Sequence, residues 1–258
     1  MVGLDFYLET NIICFNDVRE LKPTVFIFPQ ELMLAIHQTI ISATSKSIFK
    51  SFILKRGLQA KLKMLQREKY TKSSIWDFIV FRKIRSVFGG KIRIAFTGGS
   101  HVCDEVLNFM RCALGVPINL GYGLIETTSL VTHSHYLDLC PGSVGTPIPS
   151  TLIKLIDCTQ LDYYVEEGIG EICVKGANVF TGYYKDKTLT NSMFDEDGWF
   201  HTGDIGTWLD NGSLKIVDRV KNIFVLSDGH RVTPSVVEAV LRGINVIYQI
   251  FVYGDKQG

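Results

Sequence analysis

Three segments of the sequence concentrate glycine, acid and aromatic residues more than packing alone requires. They are Thr97-Gly-Gly-Ser100, Gly121-Tyr-Gly-Leu-Ile-Glu-Thr-Thr128 and Gly198-Trp-Phe-His-Thr-Gly-Asp-Ile-Gly206. Gly98 and Gly99 lack side chains, which lets a planar base approach the backbone, although an ordinary strand-to-helix turn uses the same residues. Tyr122, between Gly121 and Gly123, offers a flat face for stacking or serves as a buried loop aromatic. Glu126 is placed to bind a divalent cation that faces phosphates, or is simply solvated. His133-Ser-His135 has no third ligand at metal-binding spacing and reads as loop residues, and His201 reads as a hydrogen-bonding packer rather than a general base.

The elements that must carry these residues follow from periodicity. Ile92, Ile94 and Phe96 alternate with Arg93 and Ala95 as a strand. Val102, Val106, Phe109, Met110 and Ala113 form a helical stripe, and Val116 to Leu120 reads as a second strand. This is a βαβ unit, expected to hold its two strands parallel, and the first two glycine segments lie just beyond their carboxyl ends, where open α/β sheets bind ligands. Residues 31–81 read as largely helical, with Leu54, Leu58, Leu62 and Leu65 on one face and Lys55, Lys61, Lys63 and Arg67 between them. After Pro141 short strands dominate, including Thr151–Ile156 and Glu171–Lys175. Asp210-Asn-Gly212 joins Ile205–Leu209 to Ser213–Val217 as a predicted type I′ hairpin. A second hairpin, 222–226 with 231–232, precedes a helix that starts at Thr233-Pro234 and ends at Gly243, followed by a strand over Val246–Tyr253.

Composition sets the class. The chain has 258 residues, 46% hydrophobic and 21% charged, which is ample for a buried core and excludes a disordered tail or a disulfide miniprotein. Six cysteines with no C-x-x-C pair read as reduced structural thiols, not a zinc ribbon. The formal charge of +1 conceals an asymmetry, because residues 46–93 hold fourteen Lys or Arg against only Glu68 and Asp77. A solvated helical face explains such a run most simply, and an anionic membrane or a phosphate-bearing ligand would be its partner if it has one. Phe49, Phe52, Tyr70, Trp76 and Phe78 fall mostly at apolar helix positions, which argues for core and against nucleic acid. No signal peptide or membrane-spanning run is expected, giving a cytoplasmic chain or one peripheral on an intracellular membrane such as the endoplasmic reticulum.

The motifs in order resemble the adenylate-forming, AMP-binding enzymes, and within them the long-chain fatty acyl-CoA synthetases. Gly121-Tyr-Gly-Leu-Ile-Glu-Thr is similar to their Y-G-x-T-E motif. The stretch Gly198–Gly206 and then Asp218-Arg-Val-Lys-Asn-Ile-Phe are similar to T-G-D and D-R-x-K. Further matches are Leu21-Lys-Pro-Thr-Val-Phe, Ser74-Ile-Trp-Asp, Phe88-Gly-Gly-Lys-Ile-Arg, Gly176-Ala-Asn-Val-Phe-Thr-Gly-Tyr-Tyr and Gln249-Ile-Phe-Val-Tyr-Gly. The resemblance implies an α/β fold: part of a large domain over 1–217, with an α/β subdomain over 1–150 and a short-strand barrel region over 151–217, then an incomplete mobile domain over 218–258. It implies a fatty acid–CoA ligase that uses ATP, Mg²⁺ and coenzyme A, forming acyl-AMP and then the thioester. It also implies the roles: Gly121, Tyr122 and Gly123 with Gly98 and Gly99 around the adenine, Glu126 at Mg²⁺, Asp204 and Arg219 on the ribose, where a structural ion pair beside a hairpin is the alternative, and Lys221 at the hinge.

Departures from the pattern matter as much. Ile125 replaces the motif's Thr, whose hydroxyl meets phosphate; hydrogen bonds to charged groups are worth about 1.5 to 3 kcal/mol, so adenylation would fall roughly ten- to a hundredfold. Val225 stands where the family commonly has Lys, and the phosphate-cradling Thr-Ser-Gly-Thr-Thr-Gly loop and the adenylation lysine are not found. The expectation is a fragment of a longer synthetase with little activity by itself. The alternatives are a non-catalytic nucleotide or acyl-CoA binding remnant, and a basic membrane-surface protein. The synthetase reading requires Tyr122 and Asp204 to meet at one nucleoside.

Overall fold

The computed structural model describes residues 15–99, 103–226, 230–242 and 250–254. The chain divides into two units, Met1–Leu120 with His135–Pro141 and Gly121–Ser134 with Gly142–Gly258.

In the first unit, helix α1 (Phe15–Leu21) leads into strand β1 (Val25–Phe28), which pairs in parallel with β2 (Ile94–Gly98). The apolar alternation reached back to Ile92, but the strand starts later because the Ile92 carbonyl accepts from the Lys72 ammonium and its side chain turns into the core. Helix α5 (Asp104–Leu114) connects β2 to β3 (Ile118–Tyr122), its neighbour in the sheet. Asp104 and Glu105 sit in the helix's first turn, where the macrodipole favours acids, and Val106, Phe109, Met110 and Ala113 are buried as the stripe predicted. Val102 lies outside the described residues. Gly115 ends the helix at φ +66°, and a Cβ there would stand 2.3 Å from the Thr71 carbonyl oxygen, so only glycine closes this end.

The long helical region divides into α2 (Gln30–Ser45), α3 (Ile48–Leu65), a π-helical turn at Asp77–Phe81 and α4 (Arg82–Val87), with residues 66–76 as a connector. Ser47 caps α3 through the Lys50 amide. Leu54 and Leu65 are buried, and a Cβ at Gly57 would stand 3.4 to 3.6 Å from the Trp76 and Phe81 rings. Two expectations are corrected here. Lys61 is not on the solvated face but buried, 3.0 Å from Asp77, which also takes the Arg85 guanidinium and the Ser74 hydroxyl. Burial pushes the Asp77 carboxyl up, but the hydrogen bonds from Ser74, Lys61 and Arg85 outweigh it and hold it below the usual range. Phe49 and Phe52 are exposed, not core, because the buried stripe of α3 runs through Leu54, Gly57, Lys61 and Leu65 on the opposite face, and Phe78 in the π-helical turn is exposed too.

The second unit is built of antiparallel strands. The end of β3 pairs with β4 (Thr132–His133), which pairs with β5 (Ser143–Pro147). The order continues through β9 (Leu214–Arg219), β8 (Phe200–Trp208), β7 (Ile169–Gly176) and β6 (Thr151–Ile156). Gly145, at φ +87°, brings its backbone against His133, where a Cβ would come within 2.1 Å. The predicted β8–β9 hairpin exists with a different turn. Gly212 alone takes a positive φ, +77°, and its amide bonds the Leu209 carbonyl while the Leu209 amide bonds Ser213. This is a type I turn closed by a left-handed glycine, and the Asn211 side chain stabilises it by accepting from the Ser213 amide instead of adopting a positive φ.

Beyond β9, β10 (Phe224–Val225) pairs with β11 (Arg231–Val232), and helix α7 (Pro234–Arg242) follows with helix α6 (Lys187–Ser192) earlier in the unit. Asp228, Gly229, Gly243 and the 246–249 part of the last predicted strand lie outside the described residues; 250–254 is not a strand. No helix among the described residues is long and apolar enough to cross a membrane. Cys103, Cys112, Cys140, Cys158 and Cys173 are free thiols, and burial pushes those of Cys112 and Cys173 up to about 12.

Candidate functional site

Two strands of the second unit place the acid and the aromatic of separate motifs together. Tyr122, at the end of β3, packs its ring among Val131, Ile172, Val174 and Leu214 and donates its hydroxyl to Asp204 Oδ2 at 2.7 Å. Asp204 on β8 faces its cross-strand partner Arg219 on β9, whose Nε donates to Oδ1 at 2.9 Å. The carboxylate is only 3% exposed. Burial raises its pKa above the usual carboxylate value, since desolvation exceeds the stabilisation from Tyr122 and Arg219, and Asp218 adds to the rise. Burial, and then the Asp204 charge, push the Tyr122 phenol well above its ordinary value, so Tyr122 remains a donor. An ionised carboxylate offers about four acceptor positions and two are filled, which leaves capacity for a further pair of hydroxyl donors. Arg219, with its side chain 43% exposed, is the movable side of this arrangement.

The loop after β3 is held from below by Asn178. Its Nδ2 donates to the Thr127 and Leu130 carbonyls at 3.2 and 2.9 Å, its Oδ1 accepts from Thr151, and its own carbonyl accepts from the Thr128 hydroxyl. The Glu126 carbonyl accepts from the Phe180 amide, and its Oε1 accepts from the Tyr183 hydroxyl at 2.9 Å. Burial first, and then Glu126, raise the Tyr183 pKa. A half-buried carboxylate with one oxygen held and the other open suits Mg²⁺, which takes one or two carboxylates and completes its shell with water and phosphate. Ile125, beside it, is 90% exposed. Gly123 is explained by packing, since a Cβ would meet the Ser129 carbonyl oxygen at 2.2 Å, and one at Gly121 would meet Leu130 at 2.7 Å.

Gly121, Tyr122, Gly123, Glu126, Asp204, Arg219 and Lys221 all belong to the second unit, and the structure brings Tyr122, Asp204 and Arg219 into direct contact. Lys221 is exposed in a turn closed by the Asn222 amide on the Arg219 carbonyl. Gly98 and Gly99 belong to the first unit and are exposed, Gly99 at φ +85°; Ser100 lies outside the described residues. His201 sits with Nδ1 3.4 Å from Glu171 Oε2. Among the described residues, no three His, Cys, Asp or Glu side chains gather as a metal group. Asn178, Tyr183 and Glu171 were not anticipated in their roles. Asn178 and Tyr183 lay within the Gly176–Tyr184 motif, which was the only signal that could have pointed to them.

The mixed α/β architecture, a βαβ unit and a largely antiparallel sheet, matches that of a solved adenylation domain. Residues 5–184 match the family described as AMP-binding enzyme, and the chain belongs to that family. It is 39% identical over 241 residues to long-chain-fatty-acid–CoA ligase 5 of Rattus norvegicus, covering 93% of this chain and 35% of that protein. It is also 39% identical over 259 residues to the peroxisomal long chain acyl-CoA synthetase 6 of Arabidopsis thaliana, covering 99% of this chain and 37% of that one. The adenylation domain of a carboxylate reductase from Mycobacterium chelonae superposes with a TM-score of 0.66 at 29% identity, covering 94% of this chain and 34% of that chain. The chain therefore spans about a third of the length of the relatives it matches.

Proposed function

We propose that this chain is the nucleotide-binding part of a long-chain fatty acid–CoA ligase, which activates a fatty acid with ATP and transfers it to coenzyme A. The observation that carries this reading is the Tyr122–Asp204–Arg219 contact, with a buried carboxylate whose remaining acceptor positions suit the two ribose hydroxyls. Gly121, Tyr122 and Gly123 border the adenine. Glu126 holds Mg²⁺, which when bound neutralises phosphate charge, and Tyr183 keeps that carboxylate in place. Lys221 lies at the hinge that follows Asp218. Both half-reactions build charge at phosphorus or at a tetrahedral carbon, so the protein's own work is positioning and charge stabilisation.

A second reading, a binding remnant without turnover, is favoured by Ile125, whose exposed side chain offers phosphate no hydroxyl. Exchange of labelled pyrophosphate into ATP in the presence of a long-chain fatty acid, run beside a calorimetric AMP titration, decides between them. Binding with exchange supports the ligase, binding without exchange supports the remnant, and no AMP binding removes both.

An intracellular location with peripheral membrane contact belongs to the same proposal. It is supported by the exposed Ile48, Phe49 and Phe52 beside Lys55, Arg56 and Lys63 on one face of α3.

A further inference from the structure

We propose that Glu171 is a positioning residue for the ribose-binding carboxylate, acting through the backbone of Gly203. This inference rests on Asp204 being the ribose acceptor.

Strand β8 does not run evenly past β7: the register shifts between Glu171 and Cys173. At that irregularity Gly203 takes φ +69°, a left-handed conformation that turns the following residue relative to a regular strand. A regular strand would pair the Gly203 amide with a neighbouring carbonyl. Here the amide donates to Glu171 Oε1 at 3.1 Å, so a side chain supplies the acceptor. The Glu171 carboxylate is itself fixed at its other oxygen, where His201 Nδ1 stands 3.4 Å from Oε2. On the far side of Gly203, the Thr202 hydroxyl donates to the Ile172 carbonyl and accepts the Asp204 amide at 3.1 Å. The Gly203 carbonyl accepts from Val220, the residue after Arg219. The amides of both Gly203 and Asp204 are thus satisfied by side chains, and the bulge that aims Asp204 at Tyr122 and Arg219 depends on them. Of the two acceptors, Glu171 is the one that comes from a separate strand.

Glu171 touches neither Tyr122 nor Asp204, so its removal should change how well the ribose hydroxyls are read and leave the base site alone. The test compares calorimetric binding of AMP and of 2′,3′-dideoxy-AMP to the full chain and to Glu171→Ala, Glu171→Met and Glu171→Gln. The wild type is expected to prefer AMP about tenfold or more, the worth of hydrogen bonds to a charged group. Glu171→Ala and Glu171→Met should lose most of that preference while their affinity for the dideoxy nucleotide stays within about twofold. Glu171→Gln keeps an acceptor oxygen for the Gly203 amide and should retain the preference, which also covers the case in which the alanine variant fails to fold. Full preference in Glu171→Met, or its loss in Glu171→Gln, overturns the assignment. A wild type that binds AMP without preference overturns it too, but does so through the ribose role of Asp204, not through Glu171.

Discussion

At the scale of single residues, Asp204 is a carboxylate kept in an unfavourable place. Its pKa is raised by burial, so the folded chain binds this proton more tightly than the unfolded chain does. The sign follows: its contribution favours folding below the unfolded value near 3.8 and is lost as the pH rises through the raised folded value. Asp204→Asn cannot ionise, so its urea midpoint should rise relative to the wild type as the pH goes from about 4 to 7, and a constant offset would contradict the assignment. Ile125→Thr restores a hydroxyl beside Glu126 and should tighten ATP binding by about tenfold, measured by calorimetry, with AMP binding changed less. The residues of this site were legible because each sits in a motif with its neighbours intact: Tyr122, Glu126, Asp204 and Arg219 could all be named. The reading already required Tyr122 and Asp204 to share one nucleoside; what could not be read was their direct hydrogen bond, since positions 122 and 204 meet only through the order of strands β3, β4, β5, β9 and β8.

Elements explain why the loop stays in place. Asn178 makes four hydrogen bonds that join Thr127, Thr128 and Leu130 to Thr151, three of them through its side chain, so Asn178→Ala leaves the Thr127 and Leu130 carbonyls without their donor and the Thr151 hydroxyl without its acceptor. The Thr128 bond to the backbone carbonyl survives, and the expected loss is about 2 kcal/mol of stability. Amide exchange over residues 124–130 should accelerate while the β7 and β8 amides remain protected, and unchanged exchange in the loop would contradict this role. Strands and helices with strong periodicity were predicted to within a few residues, as for α5 and β6. Turn chemistry was less legible: the Asn211-Gly212 pair suits two hairpin types, and only the backbone shows that Asn211 spends its side chain on the Ser213 amide. The buried Lys61 had no sequence signal, because its partner Asp77 is sixteen residues away, across the connector that follows α3.

For the whole molecule, the first unit is stabilised at one point by the buried Lys61–Asp77–Arg85 group, and removing Asp77 leaves the Lys61 ammonium and the Arg85 guanidinium without their counter-charge. Asp77→Ala should cost about 3 kcal/mol in denaturant unfolding. Asp77 has its pKa held low, so its contribution is present above 3.8 and is lost as the pH falls through the depressed value; Asp77→Asn should flatten this acid limb. The charge asymmetry was plain in the sequence, but the burial of Lys61 and the exposure of Phe49 and Phe52 were not, because a helix of mixed pattern does not declare which face the core takes. Sedimentation with anionic vesicles should capture the chain at low salt and release it near 0.5 M, and Phe49→Ser with Phe52→Ser should weaken capture; salt-independent binding would contradict the role of the basic face. The central claim is more local and is tested by one titration, AMP against the wild type and Asp204→Ala. The account predicts saturable binding by the wild type and at least about tenfold weaker binding by the folded variant, whereas equal affinities would contradict it.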